Sequence, residues 1–139
     1  GAERATPAPG VLEAIASADT IICCPSNPVL SVGPILAVPG IERALQSRRD
    51  RVIAISPIVG GKALRGPADR LLRELGHEPS ASGVARLYLA WVGTIVIDDA
   101  DKDLASNIEA LGMRCVVTNT IMSDASHAQD LARTVVNAL

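Results

Sequence analysis

An α/β fold, with a mostly parallel sheet flanked by helices on both faces, is predicted by two features of these 139 residues. Four short runs rich in Ile and Val, at 20–24, 51–56, 94–98 and 114–118, alternate with stretches of helical periodicity. The connections between them are mostly short, which keeps the strands in one layer and the helices outside it. The expected architecture is a three-layer Rossmann-like sandwich. Residues 1–10 read as a flexible leader and 11–139 as one α/β portion able to bind a nucleotide.

Composition narrows the class. Hydrophobic residues make up 48% and charged residues 20%, so the chain can bury a core and is not a disordered polymer. A formal net charge of -2 gives no general attraction to nucleic acid or anionic membrane. No apolar stretch approaches the roughly 20 residues that a bilayer demands, so no membrane partner is expected. Cys23, Cys24 and Cys115 fall in apolar, strand-like surroundings and read as reduced core thiols of a cytoplasmic protein. The adjacent pair points to opposite faces of its strand and is no zinc clip.

Each element has a local reason. Residues 10–18 place Val11, Leu12 and Ile15 on one helical side. "TIICC" is a continuous apolar strand, expected to be buried on both faces. "VGPILAV" starts a helix with Pro34 near its first turn, and Pro39-Gly40 kinks or splits it before "IERALQSRR". "RVIAIS" is the second strand and "PIVGGKALRG" a glycine-rich loop. "PADRLLREL" is a helix begun by Pro67 and ended by Gly76, and "SASGVARLYLAW" another, capped by Ser80 or Ser82. "TIVID" is the third strand, followed by a helix with Leu104, Ile108 and Leu111 on one side. "RCVVT" is the fourth, and the closing helix carries Leu131, Val135 and Ala138 on one stripe.

Ligands of such sheets bind beyond the carboxyl ends of the strands. Those ends read Pro25-Ser26-Asn27-Pro28, Ser56-Pro57 with Gly60-Gly61-Lys62, Asp98-Asp99, and Thr118-Asn119-Thr120. Pro25 and Pro28 stiffen a turn that lets Ser26 and Asn27 present polar groups, with a helix start nearby for a phosphate. The plainer reading is a hydrogen-bonded turn. Gly60 and Gly61 let the backbone approach an anion while Lys62 and Arg65 supply charge, although the phosphate-loop spacing is absent. Asp98 and Asp99 suit a helix N-cap better than a magnesium site, and no metal-ligand set is read from the chain. His77 and His127 read as surface residues, Arg48, Arg49 and Arg51 as a solvated helix end, and Tyr88 with Trp91 as packing.

Four segments together, "PSNPVLSVGPILAVPGIERAL", "SPIVGGKALRGPADRLL", "GVARLY" and "IEALGMRCVVTNTIM", resemble the 2-phospho-L-lactate transferase family over residues 11–139. The resemblance implies transfer of a phospholactyl or phosphoenolpyruvyl group from a guanosine-diphosphate-activated donor to the deazaflavin Fo. GMP is released, and the product lies on the way to coenzyme F-420. It implies magnesium as cofactor and a homodimer as a common arrangement. On it, Ser26, Asn27 and Pro28 with Gly60, Gly61 and Lys62 form parts of the donor-nucleotide pocket; catalytic residues stay unassigned.

The family's longer members match this chain only through their carboxyl-terminal portion. Their amino-terminal part carries a strand, a glycine-rich nucleotide loop and the acidic metal-binding and deazaflavin-binding residues, none of which stands here. With no initiating Met, the chain is expected to be a fragment with little activity alone, whose partner is the remainder of its own chain. The alternative is a regulatory factor of the same superfamily that binds a nucleotide-sugar and transfers nothing. "SPIVGGKALRGPAD" favours the transferase.

Overall fold

The computed structural model describes residues 1–138, and the last residue of the predicted closing helix, Leu139, lies outside them. Among the described residues the strands are β1 (Ile21–Cys23), β2 (Val52–Ile55), β3 (Ile58–Val59), β4 (Lys62–Ala63), β5 (Thr94–Asp98) and β6 (Arg114–Thr118). The α-helices are α1 (Val11–Ser17), α2 (Gly33–Leu36), α3 (Ile41–Gln46), α4 (Ala68–Glu74), α5 (Ala81–Tyr88), α6 (Ala105–Glu109) and α7 (Ala125–Val136). The predicted runs form one sheet in the order β1-β2-β5-β6, every pairing parallel. The Rossmann-like α/β sandwich is borne out.

Alternation along the central strands sorts the two cores. Val52, Ala54, Ile95 and Ile97 face a large cluster with Ile41 and Leu45 of α3, Leu72 of α4, Val84 of α5 and Ile108 of α6. Ile53, Ile55 and Val96 face the other way, onto the Leu131, Val135 and Ala138 stripe that begins on α7. One helix therefore covers a face that four strands share. Ile22 is registered opposite Ile53, and its side chain remains 41% exposed beyond the reach of α7.

Several local expectations change. β1 is an edge strand, half-open rather than buried on both faces, because among the described residues it pairs with β2 alone. Cys24 lies past the strand end and is exposed, so it is no core thiol, while Cys23 and Cys115 are half-buried and pack against the large core cluster. The α-helix begins at Gly33 with Pro34 in its first turn as expected, but a π-helical turn from Pro28 to Val32 already leads into it directly after Asn27. The glycine-rich loop is a β3–β4 hairpin, since Gly60 and Gly61 (φ 56° and 77°) supply the two positive φ angles that a two-residue turn demands.

Of the arginines after α3, Arg48 and Arg49 are structural clips, while Arg51 is solvent-exposed beside Asp50 as expected. The Arg48 guanidinium donates to the Ala16 and Ala18 carbonyls that close α1. Arg49 donates to Leu89 O at 3.0 Å and Gly112 O at 2.9 Å, joining the ends of two other segments. Tyr88 and Trp91 pack in the core with ring centroids 4.6 Å apart, although α5 stops at Tyr88.

An exposed apolar residue on an open strand edge invites association with another strand. The 139-residue chain is expected to self-associate in sedimentation velocity, and Ile22→Lys to return it toward 14.4 kDa. A wild-type chain that stays monomeric at all concentrations removes the edge as an unsatisfied surface.

Candidate functional site

The parallel sheet brings all four strand ends to one side, and three of them meet there. Pro25 and Asn27 after β1, Ser56 and Pro57 after β2, and Thr120 after β6 line a cavity of about 490 Å³. The rest of its lining comes from Leu64, Arg65 and Ala68, between the hairpin and α4, and from Ile121, Met122 and Ser123. Leu64, Ile121 and Met122 are 40% exposed or more, so apolar surface stands open beside the single cation, Arg65.

The polar lining residues are held by their own backbone neighbours. Asn27 caps the turn that follows, its Oδ1 accepting from Val29 N at 2.9 Å and Leu30 N at 3.0 Å. Its Nδ2 group is left to reach a ligand. Ser56 Oγ donates to Ile58 O at 2.9 Å and accepts from Ile58 N, closing the chain between β2 and the hairpin. Ser123 Oγ stands 3.0 Å from His127 Nδ1 at the start of α7, where Asp124 is the N-cap.

Behind this lining lie two buried carboxylates. Asp98 Oδ1 accepts from Ala100 N at 3.0 Å, and its Oδ2 accepts from Thr120 N at 2.8 Å and Thr120 Oγ1 at 3.0 Å. Burial alone pushes the Asp98 pKa up, but these three bonds outweigh it and hold the group below the usual aspartate value. Asp101 receives one donor, Gly60 N, at 3.0 Å from Oδ2 and 3.2 Å from Oδ1. Burial is the larger influence there, the Asp98 charge adds to it, and the Asp101 pKa stands above its usual value.

Of the strand-end residues singled out from sequence, the cavity collects Pro25, Asn27, Ser56, Pro57 and Thr120, but of the six expected in the donor pocket it collects Asn27 alone. Ser26 faces a second hollow of about 330 Å³ beside β1, shared with Cys23, Cys24 and Trp91. Pro28 is buried at the first turn of its helix. Gly60, Gly61 and Lys62 form the hairpin tip, and the Gly60 N–H is already bonded to Asp101. Arg65, named in the sequence only as a companion of Lys62, is the cation that lines the cavity. Asp101 went unnoticed, and Ile121 and Met122 stood only inside a segment of family resemblance, with no place in the pocket. Extending the strand-end rule three residues past Thr120 finds the 121–123 segment, whereas nothing local marks Asp101.

The magnesium that the family resemblance implies does not fit these residues. Among the described residues no group of three or more His, Cys, Asp or Glu side chains is placed to hold a metal, and the Asp98 oxygens are bonded to protein N–H and O–H groups. No step is routed through a metal from this chain.

Because the folded pKa of Asp98 lies below its unfolded value, its contribution to stability is present above the unfolded pKa and lost as pH falls through the folded one. Asp101 has the opposite sign: its contribution is present at low pH and lost as pH rises through its raised folded pKa. Asp98→Asn is expected to lower stability at neutral pH by about 1–3 kcal/mol and to flatten the acid limb below about pH 4. Urea unfolding across pH measures both effects, and an unchanged acid limb refutes the assignment.

The chain as a whole is similar to known proteins. A family model described as 2-phospho-L-lactate transferase CofD matches residues 1–138. A phosphoenolpyruvate transferase of Kitasatospora aureofaciens is 44% identical over 98% of the chain and 43% of its own length. One of Streptomyces griseus is 46% identical over 96% of the chain and 42% of its length. A 2-phospho-L-lactate transferase of Methanothermobacter thermautotrophicus is 40% identical over 98% of the chain and 44% of its length. The chain thus spans less than half the length of these relatives, although nearly all of the chain itself is matched by each, and it belongs to the 2-phospho-L-lactate transferase CofD family.

Proposed function

We propose that this chain is part of a longer cytoplasmic transferase of coenzyme F-420 biosynthesis, and that it supplies the donor side of the active site. The reaction moves a phospholactyl or phosphoenolpyruvyl group from a guanosine-diphosphate-activated donor to the primary hydroxyl of Fo. The hydroxyl oxygen attacks the phosphorus that carries the three-carbon acid; the P–O bond to the guanylate breaks, GMP leaves, and the hydroxyl proton passes to a base or water. A magnesium ion, if bound, would supply neutralising charge for the diphosphate, on ligands from the rest of the protein.

The observation that carries this reading is the 490 Å³ cavity at the strand ends, in a chain that the transferase family matches throughout. Its lining suits a nucleotide diphosphate. The Arg65 guanidinium and the Asn27 Nδ2 group are donors for an anion, and Leu64, Ile121 and Met122 offer apolar surface to a ring. The Ser26-Asn27-Pro28 turn fixes the direction of Asn27, and the Gly60-Gly61-Lys62 tip sets the path of the hairpin into Leu64 and Arg65. Lys62 adds positive potential from the same hairpin.

Calorimetry of the intact protein with GDP tests the reading. Arg65→Ala is expected to weaken GDP binding about tenfold or more, the loss of one charged hydrogen bond. Asn27→Ala also weakens it, through both the lost Nδ2 donor and the lost cap. Lys62→Ala, outside the cavity lining, costs about two- to threefold by screened charge. Unchanged affinity in Arg65→Ala and Asn27→Ala places the donor elsewhere. Tight binding of a uridine diphosphate sugar with none of GDP would favour a regulatory factor instead.

A further inference from the structure

We infer that Asp98 and Asp101 are positioning residues that together set the width of the cavity, each holding one of its facing segments through the backbone. Asp98 holds the segment after β6, since Thr120 N and Oγ1 both donate to its Oδ2 and Ile121–Ser123 follow directly. Asp101 holds the hairpin, since Gly60 N donates to its carboxylate and the chain runs on from there to Leu64 and Arg65. The two partners lie 22 residues after Asp98 and 41 residues before Asp101, so the sequence neighbourhood of neither explains the contact.

One short element carries both clamps. Asp98 is the N-cap of the 3-10 turn Asp99–Leu104, and Asp101 lies within that turn, so the distance between the two carboxylates is fixed by local backbone geometry. For Asp101, stability alone gives little reason for the arrangement. Both residues are less than 8% exposed, and Asp101 has a single donor to offset its desolvation. Buried charges of this kind are commonly replaceable by apolar groups without loss of stability. What an apolar residue cannot do is accept the outward N–H of a glycine turn and so fix where the hairpin stands. The cost of burial is offset by definition of the site.

The inference rests on the proposed donor reading, and its test separates the two. Amide hydrogen exchange and GDP calorimetry are measured on the intact protein in Asp101→Leu, Asp101→Asn, Asp98→Ala and Thr120→Val. Asp101→Leu is expected to speed exchange of the Gly60 amide about tenfold or more while Thr120 stays slow. Asp98→Ala does the reverse. Asp101→Asn, which keeps an acceptor, restores Gly60 protection to within about threefold. GDP dissociation constants rise about tenfold in Asp101→Leu and Asp98→Ala and little in Asp101→Asn. Should Asp98→Ala fail to fold, Thr120→Val removes one of the same bonds and carries the β6 side of the test.

Unchanged Gly60 exchange in Asp101→Leu overturns the inference, as does loosened exchange with undiminished GDP affinity. If the wild-type protein binds no GDP, the donor reading falls, and the exchange results alone then decide whether the two clamps exist.

Discussion

The pairing of β2 with β5 is the constraint on which the other elements depend. All four residues of Val52–Ile55 and all five of Thr94–Asp98 are buried, so neither strand has a face that can turn to water. In a parallel pair this is possible only if helices cover both sides. The direction of every connection follows: each strand must run the same way and each return must pass outside the sheet. That common direction is why chemically varied turns from distant parts of the chain arrive at one edge.

The site is then a consequence of where strands stop. At the carboxyl edge the backbone loses its ladder partners, and polar side chains satisfy the orphaned groups: Asn27 for the turn after β1, Ser56 after β2, Asp98 after β5. These residues look like a ligand-binding set in the sequence, yet most of their hydrogen-bonding capacity is turned inward. On the proposed donor reading, recognition falls to groups not needed for that purpose, chiefly the Arg65 guanidinium, the Asn27 Nδ2 group and exposed apolar side chains. The edge strand β1 shows the complementary situation, a half-exposed strand beside an apolar hollow in a chain less than half as long as its relatives. No helix among the described residues is long and apolar enough to cross a membrane.

What the sequence determined by itself was everything governed by neighbours within a turn or two. The apolar runs fixed four strands, the α5 cap was narrowed to Ser80 or Ser82, of which Ser80 holds it, Pro39-Gly40 divided two helices, and the Leu131, Val135 and Ala138 stripe marked the face of α7. The Asn27 turn was also legible, because its hydrogen bonds reach only two and three residues ahead. Tertiary structure alone decided which residues share the cavity. Arg65 rather than Lys62 lines it because hairpin pairing leaves Lys62 at the tip, in register with Val59. Arg48 and Arg49 became clips because carbonyls 30 to 63 residues away converge on them. Asp101 gained a role because Gly60 folds back from 41 residues upstream. Periodicity and capping are local energies that a linear pattern records, whereas burial and partnership depend on chain closure, which sets no mark on either residue alone.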